Sequence, residues 1–129
     1  MTDRAGSNLD KLRLVAALQS ILPPQAVIHD PEALRPYECD GLSAYRQMPL
    51  VAVLPESAEQ VVQIMQLCYQ YEIPVVARGA ATGLSGGALP LADGVLLSLA
   101  KFNRILDIDP LGRTARVQPG VRNLAISEA

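Results

Sequence analysis

The chain has 129 residues, half of them hydrophobic, with 11 Lys and Arg against 13 Asp and Glu and a formal net charge of −2. That length holds at most one small domain, and the charge balance leaves no basic field to attract nucleic acid or an anionic membrane surface. One Phe, four Tyr and no Trp provide few stacking platforms, and no apolar run approaches the ~20 residues of a membrane-spanning helix.

Residues 1–7 are expected to be disordered. From Asn8 to Ile21 the apolar positions Leu9, Leu12, Val15, Ala16 and Leu18 fit one helical face, with Asn8 as N-cap and Pro23-Pro24 as the stop. Across residues 1–20 charges recur at Asp3, Arg4, Asp10, Lys11 and Arg13, unlike the uninterrupted apolar core of a secretory leader. A cytoplasmic location is expected, peripheral to a membrane only through partners. Residues 25–49 read as mostly irregular, with one helical turn around Glu32–Arg35. Tyr37, Asp40, Tyr45 and Arg46 fall in this lead-in and are expected to lie in a loop beside the next domain.

Residues 50–54, LVAVL, form the continuous apolar run of a strand buried on both faces. Ser57 and Gln60 are spaced as a capping box for the helix that follows. In that helix Val61, Ile64, Met65, Cys68 and Tyr71 recur at helical spacing, with Met65 and Tyr71 expected in the core. Pro74 then introduces a short buried strand, Val75 to Ala77. Strand, helix and strand within about 28 residues make a βαβ unit, parallel and right-handed. Two cysteines, Cys39 and Cys68, make neither a disulfide framework nor a metal set. Cys68 is expected to be a buried free thiol. The single His29 has no carboxylate or cysteine at ligand spacing, so no metal site is expected.

The stretch PVVARGAATGLSGGALP, residues 74–90, carries the chemistry. Glycines at 79, 83, 86 and 87 leave the backbone bare, so successive N–H groups can converge on an anion, most often a phosphate. Thr82 and Ser85 add hydroxyls, and Arg78 adds a cation at the loop mouth. A nucleoside-triphosphate loop needs Lys followed by Ser or Thr after its last glycine, whereas Gly87 is followed by Ala88 and Leu89. The dinucleotide fingerprint has a near match at 81–86, but Ala81 holds its first position, and Gly86, Gly87 and Pro90 make a poor opening for the helix it requires. A glycine-rich surface turn without ligand is the competing reading. The loop follows the carboxyl end of a strand, where open α/β sheets place their ligands.

Beyond the loop, Asp93-Gly94 is a turn and Val95–Leu99 a strand. Asp107-Ile108-Asp109 ends a further strand at the turn Pro110-Leu111-Gly112, and Thr114–Gln118 returns as its hairpin partner. Pro119-Gly120 breaks the hairpin, and Val121–Ala129 begins a helical pattern with Glu128 facing solvent.

Three runs together, LPESAEQV (54–61), ARGAATGLSGG (77–87) and GRTARVQPGVRNLAI (112–126), resemble the FAD-linked oxidases with the vanillyl-alcohol-oxidase type of flavin fold. The resemblance implies an α+β chain. Residues 1–48 are the amino-terminal helix and irregular lead-in. Residues 49–129 are the first, incomplete part of an FAD-binding domain, its first α/β subdomain with a βαβ unit and a following hairpin. A chain ending in a newly begun helix is read as the amino-terminal part of a longer protein. By the same resemblance the cofactor is FAD. The backbone of Gly79, Ala80, Ala81, Thr82 and Gly83 cradles its diphosphate, Leu84 and Ser85 continue the wrap, Pro55 lies near the adenosine end, and Gly120 approaches from the hairpin side. Arg78 either neutralises the diphosphate or merely flanks the loop in solvent. Ala81 stands where members usually carry Gly, and Ala at positive φ costs about 1–2 kcal/mol. The implied activity is oxidation of a 2-hydroxy acid such as glycolate to the 2-oxo acid, with partner oxidase subunits and with catalytic residues outside these 129. D-lactate, a longer 2-hydroxy acid or an ether-lipid precursor is an alternative substrate, and a fragment that binds no flavin is the non-enzymatic alternative.

Overall fold

The computed structural model describes residues 4–37, 48–79 and 93–129. Helix α1 spans Arg4–Gln19, so the helix begins ahead of Asn8 and residues 4–7 are not disordered. Arg4 and Ala5 are good helix formers, and the helix continues through Gly6 despite the poor propensity of glycine. Among its described side chains Leu14, Val15 and Leu18 are buried, with Leu22 just beyond, whereas Leu12 is 63% exposed and Ala16 faces outward. The expected stripe was rotated: Leu12 and Ala16 fit a helical period as well as Leu14 does, and only the sheet underneath selects between them.

The lead-in contains more order than the sequence shows. A 3-10 turn at Pro24–Ala26 leads to strand β1, Val27–Ile28. Helix α2, Pro31–Leu34, follows, with the Asp30 carboxylate accepting from the Ala33 N–H, and a second 3-10 turn covers Arg35–Tyr37. Strand β2, Val51–Val53, is fully buried, as its unbroken apolar run requires. Helix α3, Ala58–Gln70, opens on Ser57, whose hydroxyl accepts from the Gln60 N–H at 3.2 Å. The Gln60 side chain reaches back to the N–H of Glu56 at 2.8 Å, one residue earlier than the usual reciprocal bond. Ile64 and Cys68 are buried under α3, but Met65 is 45% and Tyr71 49% exposed. These two are therefore not core residues: Met65 adjoins Ile64 around the helix but points away from the sheet, and Tyr71 lies past the last turn.

Strands β3, Val75–Arg78, and β4, Val95–Ser98, complete a four-stranded sheet in the order β1-β2-β4-β3. β2, β4 and β3 run parallel, and β1 is antiparallel to β2. The expected unit β2–α3–β3 is parallel but split, because β4 lies between its two strands. This makes β3 an edge strand, half-buried with Ala77 exposed rather than buried throughout. Side chains alternate between the faces of the sheet. Val51, Val53, Val95 and Leu97 meet α1 and α3, while Ala52 and Leu96 meet Leu34, with Ile28, Tyr37, Met48 and Val76 packed around them.

Strands β5, Ile105–Asp109, and β6, Thr114–Val117, form a separate antiparallel hairpin. Its turn holds Arg113 at φ 55°, and the Asp109 carboxylate accepts from the Gly112 N–H at 3.0 Å. The register shifts between Ile105 and Asp107, so Leu106 bulges out of the ladder. Helix α4, Asn123–Glu128, starts two residues later than the pattern at Val121 suggests.

Candidate cofactor site

The carboxyl ends of β3 and β4, the turns after β4 and β6, and α4 enclose a cavity of about 530 Å³. That size is within the range of small-molecule sites. Arg78, Gly79, Ser98, Asn103, Gly120 and Arg122 line it, together with Pro36 and Tyr37 of the lead-in. Arg78 and Arg122 are the charged residues of the described lining, and no carboxylate joins them. The chemistry of the wall therefore favours an anion.

Arg78 is only 4% exposed. It does not flank the loop in solvent, which removes one of its two readings. Its guanidinium donates to the Tyr37 carbonyl at 3.3 Å, tying the lead-in to the end of β3. A guanidinium stays charged wherever it is placed, so burying it at a cavity wall concentrates positive potential there. Nearby, Lys101 meets Glu56 at 3.1 Å across the surface, a pair that contributes little by itself.

Gly79 and Gly120 are used differently from what the sequence suggests. A Cβ on Gly79 would collide with the carbonyl oxygen of Pro119, and one on Gly120 would collide with the carbonyls of Leu99 and Phe102. Their missing side chains let three stretches of backbone cross closely, while both residues also border the cavity. The Gly120 N–H fixes that crossing by donating to the Phe102 carbonyl at 2.8 Å.

Of the residues singled out from the sequence, Arg78, Gly79 and Gly120 come together on this cavity. Pro55, two residues past β2, is buried and is not among the lining residues. Ala80, Ala81, Thr82, Gly83, Leu84 and Ser85 lie outside the described residues, as do Cys39, Asp40, Tyr45 and Arg46. Ser98, Asn103 and Arg122 were not anticipated. The residue after an apolar strand run is the one signal that could have pointed to Ser98. Among the described residues no group of His, Cys, Asp and Glu could hold a metal ion, and no helix is long and apolar enough to cross a membrane. Burial pushes the Cys68 thiol above its ordinary value.

The model of the FAD binding domain matches residues 49–129. The chain belongs to that family. It is 57% identical over 127 residues to glycolate oxidase subunit GlcD of Escherichia coli K12, covering 98% of this chain and 26% of that protein. A D-lactate dehydrogenase of Anaerostipes hadrus is 34% identical over 109 residues, covering 84% of this chain and 23% of that one. In structure, p-cresol methylhydroxylase with substrate bound superposes with a TM-score of 0.76 at 25% identity, over 91% of this chain and 24% of that one. The chain thus spans about a quarter of the length of the relatives it matches. Its mixed α and β fold is that of the vanillyl-alcohol-oxidase type flavoproteins, and its cofactor is FAD. The cavity fits that cofactor: two arginines without a carboxylate suit a diphosphate.

Proposed function

We propose that the protein oxidises a small 2-hydroxy acid of the glycolate type to the 2-oxo acid, and that these residues hold the FAD diphosphate. The observation that carries this reading is the 57% identity to glycolate oxidase subunit GlcD across 98% of the chain. When bound, FAD would supply the redox chemistry of the alcohol oxidation. This chain's own residues have a positioning role. Backbone N–H groups of Gly79, Ala80, Ala81, Thr82 and Gly83 cradle the diphosphate, with Leu84 and Ser85 continuing the wrap and Pro55 towards the adenosine. Arg78, held by the Tyr37 carbonyl, offsets the diphosphate charge, and Gly120 keeps the hairpin turn against the site. The relative's name calls it a subunit, which supports partner oxidase subunits for this protein as well.

Anaerobic mixing of the purified flavoprotein with a panel of 2-hydroxy acids tests the reading. Glycolate is expected to bleach the visible flavin band. The dehydrogenase relative makes D-lactate the alternative substrate. Bleaching by D-lactate but not by glycolate would favour that second reading, and bleaching by neither would end both.

A further inference from the structure

Strand β4 ends in a serine, Ser98. Ser98 is 3% exposed, and β4 lies inside the sheet, between β2 and β3. In the β3–β4 ladder Ser98 stands opposite Arg78, which is 4% exposed. Alternation puts Ser98 on the face of Leu96 and Arg78 on the face of Val76, the same face that Tyr37 packs against. A hydroxyl and a guanidinium thus lie side by side at the carboxyl ends of neighbouring parallel strands, and both line the cavity. Apolar residues fill the rest of β4, and a valine or leucine would continue its buried run. On the cavity wall the serine hydroxyl can donate a hydrogen bond to a bound ligand.

We propose that the Ser98 hydroxyl donates a hydrogen bond to a diphosphate oxygen of FAD, next to the Arg78 guanidinium. This rests on the placement of the FAD diphosphate in this cavity. The donor is neutral and the acceptor charged, a combination stronger than a bond between neutral groups. The hydroxyl adds direction to the positive potential of Arg78, which by itself attracts any anion.

The test is FAD affinity of the purified protein, expressed from its whole reading frame, stripped of flavin and titrated with FAD while flavin fluorescence is followed. Ser98→Ala removes the donor, and Ser98→Cys keeps the connectivity, with a slightly larger terminal atom and only a weak donor. Both are expected to raise the FAD dissociation constant about tenfold, with the melting temperature of the flavin-free protein unchanged. Because no substrate is present, a failure of 2-hydroxy acid oxidation leaves this result intact. Wild-type affinity in both variants would overturn the proposal. Normal affinity in Ser98→Cys with weak binding in Ser98→Ala would also overturn it, since the serine would then only fill space. If Ser98→Ala does not fold, Ser98→Cys decides alone.

Discussion

Gly79 and Gly120 sit where three backbone segments cross, and each would meet a carbonyl oxygen if it carried a methyl group. Gly79→Ala is therefore expected to destabilise the protein by about 1–3 kcal/mol, the usual cost of overpacking, measured as a lower urea midpoint. Flavin retention should fall with it, because the same residue borders the cavity. The sequence makes these glycines visible but not their use: glycine marks a close approach without saying what approaches. Arg78 shows the same limit. Its charge is legible, but its burial depends on Tyr37, 41 residues earlier in the chain. Cys68 was legible as a buried thiol because it repeats with Ile64 on one helical face, and both are buried. Burial holds its proton in the folded state, whereas the unfolded thiol ionises near the ordinary value of 9.0. The stabilisation is therefore complete below that pH and is lost as pH rises above it. A urea titration series from neutral pH upwards should show this extra loss, and Cys68→Ala should lack it.

Among the elements, α3 was the most legible, since its cap and its period agree. Ser57→Ala should cost about 1 kcal/mol through loss of the bond to the Gln60 N–H, measured by denaturant unfolding. The helix has one side that matters more than hydrophobicity suggests. Ile64→Ala should cost about 2–5 kcal/mol, whereas Met65→Ala, on a half-exposed side chain, should cost a small fraction of that. β2 was equally plain, because only a strand covered on both faces tolerates an unbroken apolar run. β1 was missed because two residues carry no period, and its pairing to Val53 and Ala52 is a long-range contact. α1 was found but rotated, since helical spacing alone does not distinguish the Leu12 side from the Leu14 side.

At the scale of the molecule, the sheet order decides where the site lies. Placing β4 between β2 and β3 brings Ser98 beside Arg78, and the turns at 99–102 and 118–121 close over both. Strand order was not legible, because the spacing of β2, α3 and β3 is the same whether or not another strand enters between them. The cofactor class was legible through the glycine loop and the runs on either side of it, which match the FAD binding domain over residues 49–129. The proposed seat of the FAD diphosphate is the carboxyl ends of β3 and β4. A crystal structure of the purified flavoprotein tests it most directly. Phosphate oxygens are expected within hydrogen-bonding distance of backbone N–H groups in residues 79–85, on the wall that Arg78 and Ser98 form. A diphosphate held elsewhere, with that wall facing only water, would contradict it.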